Sequence, residues 1–133
     1  MTTAIPASDL EGRFADAVAR IAPRVLTQVS RDPDSPTYGS FDRNWWHYKI
    51  RDFSSIILQQ GSYFLWELSG FAEFGDQREA LKRLAAGGAR FWASRARRRG
   101  AFEEYYPWEQ GYPPLAFSTL AIAKLVKEGA VGL

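Results

Sequence analysis

A chain of 133 residues with 46% apolar side chains is long enough to build one core and too apolar to be disordered throughout. Its formal charge of +2 argues against a general nucleic-acid binder. The absence of cysteine and the single histidine argue against a disulfide framework, a cysteine nucleophile and a histidine-rich zinc site within one chain.

The start, "MTTAIPASDLEGRF", lacks the basic head and apolar run of a signal peptide, and no segment holds the roughly 20 apolar residues a membrane span needs. The expected location is the cytoplasm. Phe14, Val18, Ile21, Val25 and Val29 then recur at three- and four-residue steps, which predicts an amphipathic helix capped by Ser8 or Asp9. Pro23 falls inside that pattern and should kink or split the helix. "SRDPDSPTYGS" is rich in turn formers and reads as a loop.

A second helix, carrying Ile50, Phe53, Ile57, Phe64 and Leu68, is expected from near Trp46 to Ser69. After the turn "SGFAEFGD", a third should start near Asp76 with Leu81, Leu84, Ala85, Gly88 and Phe91 on one stripe. Gly87 and Gly88 each cost a helix on the order of 1 kcal/mol relative to alanine, which implies a close approach by another helix. "RARRRG", from Arg95, is either a local anion patch or a helix end whose cations complement the macrodipole; the second is the simpler reading. Pro113 and Pro114 suit the first turn of a fourth helix, "LAFSTLAIAKLV", whose apolar residues point every way and predict burial all round.

The pattern predicts an all-α fold of antiparallel helical hairpins. The chain reads as one domain, 1–133, with aromatic-rich loops at 31–45 and 98–112 that fall at the same end. Those loops carry "DRNWWHYK", from Asp42, and "EEYYPWEQGYPP", from Glu103, so the two stretches should share one rim.

Over Tyr38 to Leu125, "FDRNWWHYKIRDFSSIILQQGSY" and "GAFEEYYPWEQGYPPLAFSTLAIAKL" resemble the N-terminal helical region of heparinase II/III-like polysaccharide lyases. The likeness lies in the order and aromatic character of the loops, so no catalytic role is carried over from the family. It implies part of an incomplete (α/α) toroid with a glycan groove at one end. It also implies a fragment or remnant of a larger protein, lacking a C-terminal part and prone to self-association through its apolar last helix.

Trp45, Trp46, Tyr48, Tyr105, Tyr106 and Trp108 offer flat faces on which pyranose rings stack. The competing reading is that half of them fill the core, Trp46 and Tyr106 foremost. Arg43, Asn44, His47, Glu104, Glu109 and Gln110 supply polar partners for sugar hydroxyls. β-Elimination from a uronic acid needs a base for the C5 proton, an acid for the leaving oxygen and a cation or amide against the carboxylate. His47 and Tyr105 are the catalytic candidates, with Arg43, Asn44 or Arg51 facing the carboxylate. A lone histidine beside tryptophans is also an ordinary structural residue. Hydrolysis would need two opposed carboxylates, for which Asp42 with Glu104 or Glu109 are the candidates.

The expected ligand is an acidic polysaccharide or oligosaccharide contacted by Arg43, Asn44, Trp45, Trp108 and Glu109. No cofactor, metal, nucleic acid or membrane is expected. A helical protein-interaction module and a fragment of a six-hairpin glycoside hydrolase are the alternatives. An exposed apolar face of more than a few hundred Å² would favour the interaction module.

Overall fold

The structure is a computed structural model that describes residues 7–41, 55–96, 100–103, 108 and 110–131. Every regular element among them is helical: α1 (Ala7–Leu26), α2 (Gly61–Leu68), α3 (Arg78–Arg95) and α4 (Tyr112–Lys127), with 3₁₀ turns at Ile56–Gln60 and Ala72–Gln77. No described helix is long and apolar enough to cross a membrane.

The first helix has Asp9 in its first turn and Arg24 in its last, charges that suit the macrodipole. Pro23 does not split it. The proline leaves the Ala19 carbonyl without its helical donor, and the helix ends three residues later at Leu26. The Thr27 N–H closes the end by donating to the carbonyls of Pro23 (3.2 Å) and Arg24 (3.3 Å). The buried face differs from the expected stripe. Val18 and Ala22 are buried, whereas Phe14 is 69% and Ile21 52% exposed. The apolar stripe is wider than the surface that covers it.

Residues 30–41 form the expected loop, closed by a reciprocal pair of backbone bonds. Ser30 N–H donates to the Ser40 carbonyl and Gly39 N–H to the Ser30 carbonyl, both at 2.8 Å. Inside the loop Asp32 Oδ1 accepts the Asp34 amide at 3.0 Å, a local turn of the kind aspartate favours.

The second helix is shorter than expected. Ser55 is extended (φ −74°, ψ 113°), so no helix runs unbroken from Trp46 to Ser69. Its follower explains why: the Ile56 N–H donates at 3.2 Å to the carbonyl of Glu103, outside any helix. The expected turns from 46 to 54 lie outside the described residues. The third helix starts at Arg78, two residues after Asp76, because a 3₁₀ turn takes up the intervening chain.

α2 and α3 form an antiparallel hairpin. Ser62, early in α2, faces Gly88, late in α3, and Trp66 meets Lys82, whose ammonium lies 5.8 Å from the ring centroid. The two glycines of α3 do mark a close approach, but the loop shares it with α2. A side chain on Gly87 would reach the Tyr38 ring at 2.7 Å, and one on Gly88 would collide with Ser62 Oγ and reach the Gly39 carbonyl at 2.9 Å. Gly39 itself sits at φ +81° with its backbone against Gly87 and Gly88, so glycine is required there twice over.

The fourth helix begins at Tyr112 with prolines in its first turn, as expected. It does not pair with α3 as a second hairpin; it lies mainly along the 3₁₀ turn Ile56–Gln60 and α2. Nor is it buried all round. Pro114, Ser118, Ala121, Ile122 and Leu125 face inward, while Phe117 is 57% and Leu120 62% exposed. Described neighbours cover one side only. The main core joins Val18, Ala22, Phe41, Leu65, Leu81 and Leu125 with their surroundings, and a smaller cluster unites Ile56, Phe91 and Phe102.

Gly88→Ala should destabilise the fold by about 1–3 kcal/mol, because overpacking outweighs the helix-propensity gain. Gly12→Ala, with nothing within 4 Å of the added carbon, should instead stabilise it by about 0.4–1 kcal/mol. Urea denaturation with unchanged slopes and midpoints moving in opposite directions would show both.

Candidate functional site

Most residues nominated by the sequence lie outside the described residues: Arg43, Asn44, Trp45 and His47 in the first aromatic stretch, Tyr105 and Glu109 in the second. The same holds for Asp42, Arg51 and Glu104. What the structure does place is the frame of those stretches. The Ile56–Glu103 backbone bond ties the chain downstream of the first stretch to the first residue of the second. The Gly111 N–H donates to the Phe102 carbonyl at 3.1 Å, closing the second stretch at its base. Phe102 anchors this junction. It is 1% exposed and its ring lies 4.9 Å from that of Trp92. Trp92 in turn donates its indole N–H to Ser118 Oγ at 2.7 Å, which ties the junction to α4.

Trp108 is the one described aromatic of the second stretch before α4. Its φ of +71° lies in the left-handed region, which costs a tryptophan on the order of 1–2 kcal/mol. The Glu103 carboxylate accepts its backbone N–H at 2.6 Å and holds that conformation. The indole is 77% exposed. Glu103 thus serves as a brace for the loop, with its carboxylate turned to backbone.

A second feature was not foreseen from sequence. α1 and α2 enclose a cleft of about 600 Å³, within the range of ligand pockets. Phe14, Val18 and Ile21 line it from α1, Phe64, Leu68 and Phe71 from the opposite side. Among the described lining residues Glu67 is the one charged side chain, with Gln60 and Tyr63 as the other polar ones. The signal was present, since Phe14 and Ile21 belong to the periodic stripe of α1. Periodicity marks a face that avoids water, however, and cannot separate a packed face from an open cleft.

Close to this cleft, α2 is joined to the end of α4. Gly129 at φ +74° terminates α4, with Ala130 N–H donating to the Leu125 carbonyl and Gly129 N–H to that of Val126. The turn directs Glu128 back to α2, where it accepts the Tyr63 hydroxyl at 3.0 Å and the Trp66 indole N–H at 2.5 Å. The Lys124 ammonium lies 4.9 Å from the Tyr63 ring centroid. Glu67 first, then partial burial and Glu128, hold the Tyr63 phenol well above the usual tyrosine range. Each opposes the phenolate, which would place a third negative charge beside the two carboxylates.

Comparison with protein families, curated proteins and solved structures finds no match to this chain. Its chemistry therefore has to be read from its own geometry. That geometry offers an apolar cleft with a carboxylate edge, and a braced, exposed tryptophan in the second aromatic stretch.

Because the folded phenol titrates above the unfolded one, its contribution to stability is whole below the ordinary value near 10 and is lost as the pH rises beyond it. In a spectrophotometric titration Tyr63 should ionise well above the ordinary tyrosine range, its step identified by difference from Tyr63→Phe. Glu128→Gln should move that step down in pH.

Proposed function

We propose that the chain is a helical interaction module that binds an amphipathic helix in the cleft between α1 and α2. The observation that carries this reading is the open apolar wall of that cleft, where Phe14 and Ile21 remain more than half exposed within one concave surface. Apolar side chains left in contact with water at a concavity of this size favour an apolar partner. A helix presenting residues at i, i+3, i+4 and i+7 matches a cleft walled by two helices. Glu67 at its edge selects for lysine or arginine on that helix and against acidic residues. No nucleophile, metal cluster or opposed acid–base pair lines the cleft among the described residues, so binding is the activity it supports.

A designed leucine-faced helical peptide flanked by lysines should bind, and its glutamate-flanked counterpart should bind more weakly. Phe14→Glu should weaken the lysine peptide at least tenfold, about 1.4 kcal/mol. It should leave the unfolding midpoint nearly unchanged, since the ring is largely exposed in the free protein. Equal affinity for both peptides, or full binding by Phe14→Glu, would sink this reading.

One observation also favours the glycan reading implied by the likeness to heparinase II/III-like lyases. Trp108 is held in a strained backbone conformation and is largely exposed, within the second aromatic stretch, whose first residue is tied to Ile56 downstream of the first. Strain of this kind persists where surroundings impose it and gathers at ligand sites. Acidic oligosaccharides should then quench or shift tryptophan fluorescence in a salt-sensitive manner, and Trp108→Ala should diminish the response. Fluorescence indifferent to oligouronates and heparin fragments, in wild type and variant alike, would remove the rim as a glycan site.

A further inference from the structure

We propose that the recess between the loop after α1 and the first half of α3 binds a phosphate monoester borne on a ring. The recess holds about 300 Å³ and is lined by Arg31, Pro33 and Tyr38 from the loop and by Ala80, Arg83 and Leu84 from α3. Its floor is apolar, with Leu84 only 7% exposed. The two charged side chains among its described lining residues are both arginines.

Among the described residues neither guanidinium has an ion-pair or hydrogen-bond partner. The ion pair among the described residues is Lys82–Glu79 at 3.3 Å, which commits the acid one turn before Arg83 to another partner. Beside Arg31, the Asp32 carboxylate accepts the Asp34 amide and is turned into its own loop. The Asp34 carboxylate forms no ion pair with either arginine. The described lining residues carry a formal charge of +2, which matches the −1.5 to −2 of a phosphate monoester at neutral pH. Guanidinium forks also suit phosphate oxygens better than a point charge does.

The site is built rather than incidental because the fold fixes the separation of its two halves. The loop is shut by the Ser30–Ser40 and Gly39–Ser30 bonds, and Gly39 is pressed on Gly87 and Gly88. Tyr38 lies over Gly87, where any side chain would strike its ring at 2.7 Å. Two glycines within α3 thus seat the loop that brings Arg31 and the Tyr38 ring to the helix that carries Arg83. The tyrosine supplies a flat wall beside the cations, and the apolar floor favours a ring-bearing ester over inorganic phosphate.

The test is titration of the whole chain with phenyl phosphate, phenyl sulfate and inorganic phosphate, followed by the arginine Nε–H and Tyr38 ring signals in nuclear magnetic resonance. Phenyl phosphate should saturate at about millimolar concentration or below, ahead of inorganic phosphate and of the monoanionic sulfate. Its affinity should fall as the pH drops below about 6, where the dianion is lost. Arg31→Gln and Arg83→Gln should each weaken binding at least about fivefold; both side chains are exposed, so the fold should be unaffected. Tyr38→Leu should reduce the preference for phenyl phosphate over inorganic phosphate. The inference is overturned by any of three results: shifts that never saturate, affinity unchanged in the double arginine variant, or phenyl sulfate binding as tightly as phenyl phosphate at neutral pH.

Discussion

The contact on which this architecture turns is backbone against backbone, Gly39 on Gly87 and Gly88. Three positions without side chains let a loop lie directly on a helix, closer than any pair of residues with side chains would allow. Gly39 needs its left-handed conformation, and Gly88 must also admit Ser62 of α2. One narrow region therefore sets the spacing of the loop, α2 and α3 together. Glycines that weaken α3 as an isolated helix strengthen the domain through packing, the usual outcome when tertiary contacts override local propensity.

From that contact the support spreads unevenly. α2, α3 and α4 share a core, and polar links hold their ends: Trp92 to Ser118 at one, Tyr63 and Trp66 to Glu128 at the other. α1 is secured through Val18 and Ala22 and by the loop that follows it, while Leu10 and Phe14 in its first half stay exposed. The same asymmetry creates the cleft with α2. A helix fixed at its C-terminal end and free along its N-terminal half leaves an apolar wall that nothing in the described chain covers.

α4 presents a related imbalance. Its inward side carries Ser118 and Ala121, small residues that admit the 3₁₀ turn Ile56–Gln60 closely, while larger side chains such as Phe117 and Leu120 point outward. Hydrophobicity by itself would place the bulky residues inside. Ile122 and Leu125 do lie inside, and close approach of backbone to backbone explains why Ser118 and Ala121 share that side while Phe117 and Leu120 do not.

The all-helical class, the prolines that open α4 and the loop between Val29 and Phe41 were all legible in the sequence, because they follow from period, caps and turn chemistry over a few residues. That Gly87 and Gly88 mark a close contact was legible too, as a cost that something had to offset. The partner was not: nothing local to "AAGGAR" distinguishes a facing helix from a loop closed by Ser30 and Ser40. Likewise the stripe of α1 and the apolar character of α4 could be read as faces averse to water, yet not as open or covered. Exposure depends on which elements lie alongside, and those are distant in sequence. The aromatic stretches that drew attention to a glycan site fall mostly outside the described residues, so the structure adds their frame, from Ser55 and Glu103 to the braced Trp108. The residues by themselves determined which segments would coil into helices and where the chain would turn. Tertiary structure alone decided which apolar faces met, for burial is a property of pairs of surfaces and a single stretch of sequence carries only one of them.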